Sequence, residues 1–135
     1  MAVTHSTAAR NAATNAVVDL IDTAGAGKLK FRISPSSVGS PGTAAATLTF
    51  SATAFGASGA GAAGRADADT ITSDTAATGN AAPVAYATLE TGAGTVVVHC
   101  EIAASASDIN MTGGLTISAG DTVSCSSLTY AALSA

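Results

Sequence analysis

The stretch Lys28-Leu29-Lys30-Phe31-Arg32-Ile33 alternates strictly between a basic residue and a large apolar one. Successive side chains of a strand point to opposite faces, so Leu29, Phe31 and Ile33 are expected on one face and Lys28, Lys30 and Arg32 on the other. Three of the chain's five basic residues thus share one strand face. Two readings fit. Charged side chains, lysine above all, protect an edge strand from pairing with other chains. Alternatively, the three cations form an outward ridge that meets an acidic partner.

Upstream, residues from about Thr7 to Asp22 carry apolar residues at helical spacing. Ala9, Ala12, Ala13, Ala16, Val17 and Leu20 fall on one face, with Asn11, Asn15 and Asp22 roughly opposite. The alanine face lets the helix approach a sheet, another helix or a neighbouring copy closely. Thr4, Ser6 and Thr7 are competent N-caps, Gly25 and Gly27 end the helix, and residues 1–6 form an arm.

Downstream, Ser34 to Thr43 holds two prolines and two glycines and reads as a loop. A strand is expected over about 45–55, with Ala46, Leu48 and Phe50 inward. Residues 56–69 are almost all Gly, Ala and Asp and read as a long, flexible small-residue tract. Short strands follow at about 70–73, 83–91, 95–103, 108–112, 115–118 and 121–130, joined by glycine-bearing turns. Val96-Val97-Val98 is expected to be the most buried strand. The fold class is therefore mainly β: an antiparallel β-sandwich or partial barrel with one short N-terminal α-helix. Its 135 residues form one domain, with arm and helix over 1–24.

Composition limits the core. Val, Ile, Leu and Phe number 25 of 135 residues, under the ~20% that accompanies an ordinary ordered core. Only 10% of residues are charged, so the chain is not disordered by composition either. Much of the apolar fraction is alanine, which removes little surface from water. A monomer of this kind gains stability from association, and a homo-oligomer is expected. The net charge of −4 argues against nucleic acid as partner. No stretch approaches the ~20 apolar residues of a membrane span, and no secretion signal is visible.

No motif carries chemistry, and no enzymatic activity, cofactor or metal is expected. Gly59-Ala-Gly61-Ala-Ala-Gly64 matches a dinucleotide-loop spacing, but no amphipathic helix follows it. Asp67, Asp69 and Asp74 lack the glycine and glutamate of a calcium loop. His5 and His99 lack ligand spacing. His99 and Cys100 are adjacent on a strand and point apart, so they form no nucleophile–base pair. Cys100 and Cys125 read as reduced, packed thiols, with a Cys100–Cys125 bridge as the alternative if their strands pair.

Met1-Ala-Val-Thr-His5-Ser-Thr-Ala-Ala-Arg10-Asn-Ala12, Val17-Val-Asp-Leu20-Ile-Asp22 and Gly25-Ala-Gly27-Lys-Leu-Lys30 resemble a family of small virion-associated proteins of tailed bacteriophages. The segment from Leu48-Thr-Phe50 to Phe55-Gly56 is similar to the same family. So are Ile117-Ser-Ala-Gly120-Asp-Thr-Val123-Ser and Ser127-Leu-Thr-Tyr130. The resemblance implies a structural protein of the phage particle, a head decoration or cement protein on the major capsid protein shell. The implied location is the capsid exterior, after synthesis in the host cytoplasm. The implied partners are the capsid protein and neighbouring copies, with no nucleic acid and no membrane. A tail-tube, tail-tip or fibre-associated module is the alternative, and a small ligand-binding β-sandwich a second. The residues expected at a partner interface are His5, Arg10, Lys28, Lys30 and Arg32.

Overall fold

A computed structural model describes residues 3–133. The chain is mainly β, with 32% strand against 11% helix, and its six-stranded sheet curls into a half-barrel. Helix α1 spans Thr7–Ile21, followed by β1 (Lys28–Ile33), β2 (Ala44–Phe50), β3 (Ala66–Asp67), β4 (Ile71–Thr72), β5 (Val84–Glu90), β6 (Val96–Ala103), β7 (Ile109–Asn110) and β8 (Thr129–Tyr130). The large sheet has the order β4-β2-β1-β5-β6-β7, and β3 pairs with β8 in a second, two-stranded sheet. Of the two architectures expected, this is the partial barrel.

The alternating stretch sits at the sheet's centre. On β1, Lys30 lies between Thr47 of β2 and Thr88 of β5, and Phe31 between Ala46 and Ala87. A central strand has no free edge to protect, so the edge-protection reading of its cations does not hold. The register slips between Phe31 and Arg32 toward β2, between Arg32 and Ile33 toward β5, and between Leu89 and Glu90 toward β6. Such bulges bend a strand and increase its twist, which curls the sheet. Most pairs are antiparallel; β7 joins β6 in parallel.

The apolar face of the sheet carries Leu29, Phe31, Leu48, Phe50, Ala87 and Leu89, all buried. Val18 and Ile21 of α1 and Ile117 and Val123 of the C-terminal segment join the same core. Gly27 makes the helix junction possible. A Cβ there would lie 2.8 Å from the Ile21 carbonyl and 2.9 Å from that of Glu90. The run Val96–Val98, expected to be deepest, is half-buried instead; four consecutive residues of β5, Ala87 to Glu90, are deeper. The reason is position: β5 is flanked on both sides, whereas β6 lies near the sheet's edge.

Helix α1 turns its alanine face outward instead of onto the sheet. Ser6 caps it, its Oγ accepting from the Ala9 N–H at 3.2 Å. Thr14, Val18 and Ile21 are buried, while Ala9, Ala12, Ala16 and Leu20 face water. The polar residues explain this orientation. Asn11 Oδ1 accepts from Gly64 N–H at 2.7 Å, Asn15 Oδ1 from Ser58 N–H at 2.9 Å and Asp22 Oδ1 from Ala54 N–H at 2.7 Å. The Thr14 hydroxyl donates to the Gly64 carbonyl at 2.7 Å and accepts from Ala132 N–H at 3.0 Å. The small-residue tract has few side chains to satisfy its own backbone. A buried group left unpaired costs about 1–3 kcal/mol, whereas burying an alanine methyl returns only about 0.8 kcal/mol. The asparagine face therefore wins the interior.

The expected strands at 115–118 and 121–130 reduce to β8. The rest of the C-terminal segment is irregular and bonds at separate points to residues 74–84. Asp74 and Val123 exchange two backbone bonds, Asn80 N–H donates to Ile117 O, and Val84 N–H to Leu115 O. The strand expected over 45–55 ends at Phe50; Ser51 N–H still bonds to Thr70 O in register with β4, and the chain then turns, with the Ser51 hydroxyl donating to Thr53 O.

Candidate interaction surface

The polar face of the sheet is built by period-two alternation on three adjacent strands. Lys28, Lys30 and Arg32 on β1 stand beside Tyr86, Thr88 and Glu90 on β5 and His99 and Glu101 on β6. Glu90 is fully buried and lies between two cations. Lys30 Nζ approaches Glu90 Oε2 at 2.9 Å, and the Arg32 guanidinium donates through Nη2 to Oε1. The Thr88 hydroxyl donates to the same oxygen at 2.6 Å and accepts from Arg32 Nε at 2.8 Å. Arg32 Nη1 donates to the Gly42 carbonyl at 2.6 Å, which draws the 34–43 loop across the network. Burial alone would raise the Glu90 pKa. Hydrogen bonds from Thr88 and Arg32 and the adjacent Lys30 ammonium outweigh it and hold the carboxyl below its ordinary range.

This arrangement corrects the outward ridge. Arg32 is 6% exposed and its donors are spent inside the molecule. Lys30 is three-quarters buried and ion-paired. Lys28 is half-buried and donates to Thr49 Oγ1 at 3.3 Å. The other two expected interface residues lie elsewhere. His5 is exposed on the arm before α1. Arg10 lies on α1 against Gly64, with Nη1 3.5 Å from the Ala63 carbonyl. The structure therefore groups Lys28, Lys30 and Arg32 and separates them from His5 and Arg10. The partners missed from sequence are Thr88 and Glu90. Their spacing of two in an alternating run was the available signal, but pairing of β5 with β1 was needed to use it.

The Ser36 hydroxyl and His99 Nε2 lie 2.9 Å apart, and the Tyr86 ring packs on His99 with centroids 5.0 Å apart. Among the described residues no carboxylate hydrogen-bonds to the His99 ring, so nothing orients it as the base of a triad. Cys100 points to the opposite face, with Sγ 3.5 Å from the Ala87 carbonyl. Burial, then the nearby Asp108 charge, push its thiol up to about 11. Cys125 is raised by burial, and both cysteines are free. Among the described residues no cluster of three or more His, Cys, Asp or Glu side chains could hold a metal ion. No helix among them is long and apolar enough to cross a membrane.

Among the described residues, two of the three exposed large apolar side chains lie on the N-terminal elements. Val3 is 82% exposed and Leu20 52%, and Ala9, Ala12 and Ala16 extend the helix face between them. Val38, at the tip of the 34–43 loop, is also exposed. Comparison with protein-family models, curated proteins and solved structures found no match to the chain.

Proposed function

We propose that this chain is a structural protein of a tailed-bacteriophage virion, a head decoration protein that binds the outside of the major capsid protein shell and neighbouring copies of itself. The observation that carries the reading is the outward alanine face of α1 with Leu20 and the exposed Val3. These are shallow apolar contacts on a body whose basic strand face is engaged internally through Arg32 and Glu90. Repeated by symmetry over a shell, modest contacts of this kind sum to firm attachment. The similarity of the opening, Leu48–Gly56 and 117–130 stretches to small phage virion proteins supports the same role. The chain acts as an adhesive surface and not as an enzyme. Its contact elements are the arm with His5, the α1 face beside Arg10, and Lys28.

Labelling purified virions with an antibody to the chain, and counting its copies per particle, tests the proposal. Signal spread over the head at high copy number is expected. Signal confined to the tail would replace it with the tail-module alternative, and absence from the particle would overturn both.

A further inference from the structure

Strand β6 is paired on one side only over most of its length. It runs antiparallel to β5 from Val96 to Glu101, while β7 meets its other edge only at Ile102 and Ala103. Residues of one strand direct their backbone groups alternately to either side. Glu101 N–H bonds to Asp108 Oδ2 at 2.9 Å, away from β5, and Ala103 O accepts from Met111 N–H at 2.9 Å. His99, two residues before Glu101, must direct its N–H and C=O to that same outer edge. Among the described residues neither group has a backbone partner. The stretch from Val96 to Cys100 carries no lysine or proline to block pairing. Beside it runs a groove of about 310 Å³, between Val98–Cys100 and the segment Leu128–Ala131, with Leu89 and Ile109 in its lining. The register shift opposite Leu89 and Glu90 twists this edge, which disfavours docking of a second rigid sheet. The slot suits one extended, flexible chain.

We propose that the β6 slot receives the N-terminal arm of a second copy of this chain as an added strand. The arm is the complementary element. Residues Val3 to Ser6 are exposed, and Val3 carries the most exposed large apolar side chain described. Val3 and Thr4 are β-branched and suit a strand. Charge is compatible: no acidic residue precedes Asp19, so the arm brings no carboxylate to the end of the slot, where Glu101 and Asp108 stand. In this arrangement backbone groups of the arm satisfy the His99 N–H and C=O, and apolar side chains enter the groove. The inference needs only copies of the chain and stands apart from the capsid reading.

The test is sedimentation of the purified full chain combined with amide hydrogen exchange, with a Val3→Asp/Thr4→Pro variant as comparison. Thr4 precedes the Ser6 cap, so the variant leaves α1 intact, and the Leu89 amide reports on folding. The wild type is expected to be multimeric, and the variant monomeric, with exchange at His99 accelerated roughly ten-fold or more and Leu89 unchanged. A monomeric wild type overturns the proposal. So does a variant that keeps the wild-type mass or its His99 protection. Virion labelling is independent, so failure here and failure of the decoration role are distinguishable.

Discussion

Asn11 Oδ1 accepts a hydrogen bond from the Gly64 N–H at 2.7 Å, joining helix and small-residue tract across 53 residues of chain. The same asparagine's backbone carbonyl accepts from the Ser58 hydroxyl at 2.9 Å. An asparagine on the interior face of a helix thus holds a loop that cannot hold itself. Replacing Asn11 with Ala leaves the Gly64 amide unpaired and is expected to destabilise the fold by about 1–3 kcal/mol. Ala12→Ser, one position on and exposed, is expected to change stability by less than about 0.5 kcal/mol. Urea midpoints of the two variants check the contrast. Equal midpoints would show that the helix does not bind the tract in solution.

Glu90 is buried between Lys30 and Arg32, and removing one partner of a buried ion pair costs about 3–5 kcal/mol. Glu90→Ala is expected in that range. Glu90→Leu, which also leaves two cations without their carboxylate, offers no rescue. Because the Glu90 pKa is held below its ordinary value of 4.5, the unfolded chain takes up the proton first as pH falls. Its contribution to stability is fully present above that value and declines as acid titrates the folded carboxylate. Thermal melts between neutral and acid pH should show this decline in the wild type and a flatter profile in Glu90→Gln.

Gly27 sits where Ile21 and the Glu90 carbonyl crowd any Cβ. Its substitution by Ala requires the helix end to move off β5. Overpacking of this kind costs about 1–3 kcal/mol. A chemical-denaturation series comparing Gly27→Ala with Gly113→Ala, where no atom lies within 4 Å, separates crowding from backbone entropy. Similar losses at both sites would count against the close approach.

Cys100 is pushed up to about 11 by burial and the Asp108 charge. The thiolate is the reactive species, so iodoacetamide should label Cys100 slowly at neutral pH and much faster in denaturant. Asp108→Asn is expected to speed labelling only modestly, because burial is the larger cause. Rapid labelling of the native chain would show that the β5–β6 region opens readily.

Lys28 and the outer face of α1 can be separated from the folded network in a virion-incorporation assay. Lys28→Gln, which removes the charge without setting a carboxylate opposite Glu90, and Leu20→Lys, at an exposed side chain, are expected to alter stability by under about 1 kcal/mol while lowering the copy number per particle. Arg32→Glu is expected to unfold the chain by placing two carboxylates together in the interior. Full incorporation of both surface variants would remove these positions from the contact.

The periodicities of the sequence determined the elements. Period two in 28–33 and 46–50 and helical spacing in 7–21 specify strand, strand and helix, because backbone geometry alone sets where successive side chains point. The caps and glycine stops place their ends within a few residues. Which face of each element lies inside was decided by tertiary structure. The alanine face of α1 is exposed because Asn11, Thr14 and Asn15 satisfy a tract remote in sequence. Arg32 is buried because β5 brings Glu90 and Thr88 beside it. Val96–Val98 is half-buried because β6 lies near the sheet's edge. Each outcome turns on a partner more than 40 residues away in the chain or on a strand's rank in the sheet. The free energy of pairing a buried polar group depends on what stands opposite it, which local spacing does not encode.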